Sequence, residues 1–343
     1  MYNVASYVDR CIRSLENQDI EKVTYEIICI DDGSPDNCVE VVENLQREFD
    51  NIMLIKQLNQ GVSIARNNGI KIASGKYVLF IDPDDYVDPN CFNRVLDTAD
   101  KCNAQVSFLG FTILDEFGNP RNEVLKHEFM DDVFSGIKAY FMARGDGRSD
   151  PDRIWAVLLE SMFLKRNNLH YLPEVPYLED GELIARIMCL AEICIFDGHP
   201  FYKRTIRQGS ATNSRLFNSE KAINGFVKSA VNLSNFRNEM PLSMKQKEFL
   251  NQPVVKFVVL SIASTSKLSG LKMFLKVRSI LRENNFYKLH LEGCNNRYTK
   301  LGGLYNTSII VLYMYLLTEH ALRFFRNSLR EKFRSLKSPI KPK

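Results

Sequence analysis

Three polar clusters in the sequence each follow an apolar run, and each has residue types that could do chemistry. Phe80-Ile81-Asp82-Pro83-Asp84-Asp85-Tyr86 places three carboxylates directly after a strand-like segment. Asp82 and Asp84, separated by one residue on extended backbone, point to the same side. One or both could hold Mg²⁺ or Mn²⁺ that also grips a diphosphate. Such hard cations take one or two protein carboxylates and fill the shell with phosphate oxygens. The competing reading is a strand-end turn in which Asp85 or Asp88 caps the next helix. In Asp31-Asp32-Gly33-Ser34, a carboxylate could accept a uracil imide N–H or ribose hydroxyls, or merely cap a helix at Ser34. In Gly61-Val62-Ser63-Ile64-Ala65-Arg66-Asn67-Asn68-Gly69, Gly61 suits a helix start with close backbone approach. Arg66 could pair with the strand-end carboxylates or a phosphate, or stand exposed on its helix.

The elements that must position these clusters alternate. Val4, Tyr7, Val8, Cys11, Ile12 and Leu15 recur at helical spacing. Tyr25–Ile30 is a nearly continuous apolar run, as expected of a strand buried on both faces. Ser34-Pro35 reads as an N-cap with proline at the first helical position. Cys38, Val41, Val42, Leu45 and Phe49 carry the next helix. Strands are expected at 52–56, 77–82 and near 105–111, with helices around 62–73 and 89–101. This βα alternation predicts an open α/β sheet, and ligands bind such sheets at the C-terminal ends of strands. Farther on, residues 131–144, 155–165 and 180–191 read as helical, 145–151 as a polar loop, and 192–196 and 201–206 as short strands. From about residue 218 the chain is mostly helix.

Composition narrows the possibilities. Of 343 residues, 45% are hydrophobic and 25% charged, which excludes a disordered tail, a fibre or a small disulfide scaffold. The net charge of +4 is unevenly placed: residues 319–343 hold eight Lys/Arg against two Glu, so the rest sums to −2. Overall charge therefore gives no argument for a nucleic-acid partner. The eight cysteines contain no C-x-x-C pair and read as reduced thiols packed as small hydrophobes. No basic and apolar leader is visible at the N-terminus. The apolar stretch 309–317 falls short of the ~20 residues needed to cross a bilayer. Residues 321–336, with Leu322, Phe325, Leu329, Phe333 and Leu336 at helical spacing among basic residues, read as an amphipathic helix suited to an anionic membrane surface or to packing on the protein.

Taken together and in order, these motifs carry a resemblance. Tyr2-Asn3-Val4, the Asp31–Ser34 turn, Gly61 through Asn67 plus Gly69, and Gly75-Lys76-Tyr77 leading into Asp82-Pro83-Asp84-Asp85 closely resemble the family-2 glycosyltransferases with a GT-A nucleotide-sugar fold. The likeness is strongest to the bacterial enzymes of surface-polysaccharide assembly. It continues through Trp155, Leu178-Glu179-Asp180, and Tyr202-Lys203-Arg204 followed by Ser210. It implies a GT-A (Rossmann-like) domain over residues 1–215 and a helical extension over 216–343 with a basic amphipathic tail.

The resemblance also implies an activity: inverting, metal-dependent transfer of a glycosyl unit from a nucleotide diphosphate sugar, preferably a uridine one. The acceptor would be a hydroxyl of a glycan or lipid-linked molecule at the cytoplasmic face of the membrane. By that resemblance Tyr2, Asp31, Asp32, Gly61, Arg66 and Asp82 bind the nucleotide sugar. Asp84, with Asp82, holds Mn²⁺ or Mg²⁺; Asp180 is the general base and Glu179 orients the acceptor. Arg207 and Ser210, with Arg204, belong to a basic loop over the diphosphate. Proton removal from an acceptor hydroxyl needs such a carboxylate, and a departing diphosphate needs a metal.

One departure concerns the front of the chain. Family members open with an apolar strand ending in Pro-x-Tyr-Asn, and Met1 stands at the x. A start assigned too late is the favoured expectation, a true truncation the other. A catalytically inactive scaffold module of a polysaccharide complex is the alternative function.

Overall fold

The computed structural model describes residues 1–124, 132–143, 151–206, 219–266 and 270–336. Two compact units divide the chain, Met1–Ser214 and Arg215–Lys343. In the first, α1 (Ala5–Glu16), β1 (Ile27–Asp31), α2 (Cys38–Leu45), β2 (Ile52–Lys56) and α3 (Val62–Ile72) precede β3 (Tyr77–Leu79) and β4 (Tyr86–Val87). Next come α4 (Phe92–Cys102), β5 (Val106–Leu114), β6 (Pro120–Val124), α5 (Gly136–Met142), β7 (Val157–Glu160), α6 (Ser161–Arg166), α7 (Glu179–Leu190) and β8 (Cys194–Thr205).

β1 and β2 pair in parallel, and the Met1 backbone lies along the other edge of β1. Its N–H donates to the Ile30 carbonyl, and its carbonyl accepts from Asp32 N at 3.0 Å. The larger sheet runs β3-β7-β5-β8-β4, with β6 also on β5. It is mixed: β5 and β8 are parallel, whereas β3–β7, β7–β5 and β8–β4 are antiparallel. Eight of the nine β5 residues are buried, so this apolar run fits a central strand. Val8, Cys11, Ile12 and Leu15 pack the α1 stripe into the same core as Cys38, Val42 and Leu45 of α2. Each aliphatic side chain fully buried there contributes about 1.5–3 kcal/mol.

Three expectations are corrected. Residues 155–165 are not one helix, because Val157-Leu158-Leu159 is inserted between β3 and β5 as β7. A short apolar run has no period to distinguish the two states. The chain turns into α6 where Ser161 N and Oγ donate to the carbonyls of Lys76 and Gly75. The two short strands at 192–196 and 201–206 form a single strand, β8, whose register against β5 shifts between Leu109 and Phe111. Gly110 permits this, since a Cβ there would lie 2.4 Å from the His199 carbonyl oxygen. Nor does Ser34 cap α2, which starts at Cys38 after Asn37. Asp36 supplies the acceptor instead: Oδ1 takes Ser34 Oγ (2.6 Å) and Cys38 N (3.3 Å), and Oδ2 takes Ala5 N at the start of α1 (2.7 Å).

The second unit comprises α8 (Glu220–Glu239), α9 (Met244–Thr265), α10 (Leu271–Glu283), α11 (Asn296–Thr307) and α12 (Ile309–Leu336). A reciprocal Ser243–Gln246 capping box opens α9. Phe226 of α8 and Phe257 of α9 are both fully buried, and Phe274 stacks on Tyr313 at 4.1 Å. Among the described residues no helix is long and apolar enough to cross a membrane.

Candidate active site

Helix α3 starts at Gly61, whose φ of +90° is open to glycine and strained for other residues. Asp32 holds that start. Its Oδ1 accepts from Gln57 Nε2 and Gln60 N, both at 2.8 Å, and its Oδ2 from Gly61 N at 2.9 Å. One turn on, Arg66 collects carboxylates from two distant segments. Nη1 donates to Asp180 Oδ1 (2.8 Å) and Glu179 Oε1 (3.1 Å), and Nη2 to Asp82 Oδ1 (2.9 Å). The guanidinium also lies 5.2 Å from the Tyr171 ring centroid, and the Tyr171 hydroxyl donates to Asp180 Oδ1 at 3.0 Å.

The E-D pair opens α7. Leu178 immediately before it has φ +58°, left-handed backbone that an ordinary L residue adopts only at a cost. Within α7, buried Glu182 and Arg186 pair at 2.7 Å, and Arg186 also donates to the His170 carbonyl. That bond anchors the segment leading into Tyr171.

Electrostatics in this cluster are set by burial. Burial disfavours the Arg66 cation, but Tyr171, Asp180, Asp82 and Glu179 outweigh it and hold its pKa well above the ordinary value. Burial raises the Glu179 carboxyl, with Asp180 adding and Arg66 opposing. Burial raises Asp180 as well, against Arg66. A carboxyl raised in this way is a stronger proton acceptor once ionised, which is what a general base needs.

The turn carrying Asp82 and Asp84 is gripped from two sides. From β8, the Tyr202 hydroxyl donates to Asp85 Oδ2 (2.7 Å) and accepts from Asp82 N (3.2 Å), while Thr205 N donates to Asp85 Oδ1 (2.8 Å). From α1, Arg10 Nη2 donates to the Asp84 carbonyl (2.9 Å) and Thr205 Oγ1 (3.2 Å). Burial, with Asp82 adding, pushes the Asp85 carboxyl up to about 8. Asp85 therefore ties the turn to β8 and does not cap α4, and Asp88 pairs with Lys203 at 2.6 Å.

A divalent cation would draw on Asp82 and Asp84. Asp82 has one oxygen on Arg66 and is about a third exposed, and Asp85 is turned away toward Tyr202. No group of three His, Cys, Asp or Glu forms a metal cage among the described residues. This donor set suits a metal that completes its shell with ligand phosphates.

The residues expected from the sequence are thus partly gathered. Arg66 touches Asp82, Glu179 and Asp180, and Asp84 shares the Asp82 turn. Asp31 is buried at the end of β1, where Oδ1 accepts from Ser34 N (3.2 Å) and Cys38 Sγ (3.7 Å). Both oxygens of Asp32 accept from protein donors of the Gln57–Gly61 segment. Tyr2 is half-exposed, and Asn3 N donates to Ser34 Oγ beside it. Arg207 and Ser210 lie outside the described residues, whereas Arg204 lies over the Trp155 ring at 5.1 Å. Sequence reasoning missed Tyr171, Asp36, Gln57 and Arg10. Tyr171 follows His170 in a loop with no periodicity, so no local pattern marks it.

Comparison with known proteins follows this geometry. Residues 1–156 match the family model described as Glycosyl transferase family 2. The chain is 40% identical over 111 residues to the glycosyltransferase EpsJ of Bacillus subtilis (strain 168), covering 32% of each protein. It is 33% identical over 130 residues to the minor teichoic acid biosynthesis protein GgaB of the same organism, covering 38% of this chain and 14% of GgaB. The aligned segments thus span a third or less of these curated relatives. The structure of S. aureus TarS 1-349 in complex with UDP-GlcNAc aligns with a TM-score of 0.69 at 18% identity, covering 94% of this chain and 90% of TarS 1-349. At that identity the likeness is one of fold, and it bears out the GT-A-type open α/β sheet with a helical C-terminal region.

Proposed function

We propose that the chain, whose residues 1–156 match the Glycosyl transferase family 2 model, transfers a glycosyl unit from a nucleotide diphosphate sugar, with inversion, to a hydroxyl of a glycan or lipid-linked acceptor in bacterial cell-surface polysaccharide synthesis. The observation that carries this reading is the Arg66 contact with Asp82, Glu179 and Asp180, which joins the diphosphate-side turn to the candidate base. Asp180 takes the acceptor hydroxyl's proton, and Glu179 beside it orients the acceptor. Asp31, whose second oxygen accepts no hydrogen bond from the described residues, receives the nucleoside, with Tyr2 at the rim. Uridine is the favoured base, supported by the fold shared with a protein solved with UDP-GlcNAc. Mn²⁺ or Mg²⁺ held by Asp84 and Asp82 would neutralise the leaving diphosphate. The buried side chains of this chain exclude water from the base and fix its orientation.

A screen of nucleotide sugars for Mn²⁺-dependent hydrolysis or transfer tests the proposal. Asp180→Asn should abolish turnover while leaving donor binding intact. An active Asp180→Asn protein would remove the base assignment, and activity unchanged in excess EDTA would remove the metal.

We further propose peripheral contact with an anionic membrane at the cytoplasmic inner face. Ile310, Val311, Met314 and Leu322 of α12 are exposed, and the sequence from 319 onward carries a net +6. Sedimentation with phosphatidylglycerol vesicles but not phosphatidylcholine vesicles, lost on removal of residues 323–343, is the expected result.

A further inference from the structure

Arg153 is 8% exposed, yet no carboxylate among the described residues pairs with it. Its guanidinium sits among aromatic rings, 4.5 Å from the Phe111 centroid, 5.2 Å from Trp155 and 5.7 Å from Phe108. Nη1 makes two long bonds, to the carbonyls of Trp155 (3.3 Å) and Ala156 (3.4 Å), and Nη2 has no partner. Its charged neighbour is a second cation: the Arg204 guanidinium lies over the same Trp155 indole at 5.1 Å. Burial, with Arg204 adding and Tyr202 opposing, pulls the Arg153 pKa down to about 9. A guanidinium still resists deprotonation, so a cation remains enclosed without a counter-charge among the described residues. Removing a charge from water without pairing it is among the costliest arrangements in a protein.

The position of this cation ties it to the reaction centre. Ile154, the next residue, donates its backbone N–H to the Asp180 carboxylate. Trp155 bridges Phe80, two residues before Asp82. Two guanidiniums lie over one indole, beside the candidate base and the Asp82–Asp84 turn, and meet no anion among the described residues. Their combined charge suits a phosphate better than a singly charged carboxylate, and a guanidinium binds phosphate through paired N–H donors.

We propose that Arg153, with Arg204, forms an oxyanion site for a phosphate group of the substrate, carried either by the donor diphosphate or by a phosphate-bearing acceptor. The choice of substrate rests on the glycosyl-transfer reading above; the anion site itself does not.

Titration calorimetry on the full chain, without divalent cations, tests it with inorganic pyrophosphate, glycerol 1-phosphate and uridine. The wild type should bind at least one of the two anions, and Arg153→Met should weaken that binding about tenfold or more while leaving uridine unchanged. Loss confined to pyrophosphate assigns the site to the donor; loss confined to glycerol 1-phosphate assigns it to the acceptor. Arg153→Met should melt no lower than the wild type without ligand, since an uncompensated buried cation is replaced by apolar volume. Arg153→Lys, which keeps the charge but not the fork, should bind several-fold more weakly than wild type, and it decides the matter alone if the methionine variant does not fold. Wild type that binds neither anion, or variants with wild-type anion affinity, would overturn the proposal. Failure of uridine alone to bind would count against the donor reading and leave the anion site standing.

Discussion

Asn67 grips the backbone of Tyr171 at both polar groups: its Nδ2 donates to the Tyr171 carbonyl at 2.8 Å and its Oδ1 accepts the Tyr171 N–H at 2.7 Å. The Tyr171 hydroxyl in turn donates to Asp180. Helix α3 thus positions the candidate base twice, directly through Arg66 and indirectly through Asn67. Asn67→Ala would leave an N–H and a carbonyl without partners and cost about 2–3 kcal/mol. With Asp180 less firmly held, kcat should fall about tenfold or more while the KM for the donor stays near wild type. Thermal melts and a two-substrate kinetic series check this, and an equal rise in donor KM would show that Asn67 serves donor binding instead.

Arg66 compensates three carboxylates, so its removal should be more damaging than loss of any one of them. Arg66→Met is expected to cost about 3–5 kcal/mol, the usual penalty for stranding buried partners of an ion pair. The carboxyls of Glu179 and Asp180 are already raised by burial, and losing the cation raises them further. Folded chains then hold protons that unfolded chains release above the ordinary carboxyl range. The deficit relative to wild type should therefore shrink at pH 5.5 and grow at pH 8.5. Melting temperatures at the two pH values measure this directly.

Asp85 gives a pH dependence of its own. Its folded pKa of about 8 lies above the unfolded value of 3.8, so the protonated form stabilises the fold. That contribution is present at low pH, falls as pH rises above about 4, and is gone beyond about 8. The ligand-free protein should melt lower at pH 8.5 than at pH 5.5, and Asp85→Asn should flatten the slope. Tyr202→Phe removes the hydroxyl shared by Asp85 and the Asp82 N–H. It should lower the apparent affinity for Mn²⁺ in the presence of UDP several-fold, measured by titration.

Much of this architecture was legible beforehand because apolar runs and turn residues are local signals. The Ile27–Asp31 strand, the Gly61 helix start and the E-D helix fell within a residue or two of their expected places. The strand Val157–Glu160 was not legible, since three apolar residues beside a helix have the same pattern in either state. The pairing of Arg66 with the strand-end carboxylate Asp82 was among the expected alternatives, but its contacts with Glu179 and Asp180 span over a hundred residues of chain and have no sequence signature. Tyr171 and Arg153 were missed for the same reason: what distinguishes each is burial beside groups remote in sequence.

Asp36, which replaces Ser34 as the expected cap, carries the last prediction. Its carboxylate accepts hydrogen bonds from Ser34, Ala5 N and Cys38 N. These outweigh partial burial and hold its pKa down at about 2 against 3.8 unfolded. A depressed carboxyl stabilises the fold above the unfolded pKa, and that stabilisation is lost as pH falls from about 4 toward 2. Asp36→Ala removes the shared acceptor at the starts of α1 and α2 and should cost about 1–2 kcal/mol at pH 7. The difference from wild type should narrow at pH 3, because the wild-type carboxylate is itself becoming protonated there. Urea unfolding at pH 7, 5 and 3 reads this out, and a gap that stays constant across the three would show that Asp36 acts by packing and not by its charge. Since α1 carries Arg10, whose guanidinium holds the Asp84 carbonyl, the same substitution should also weaken metal-dependent turnover more than it weakens uridine binding.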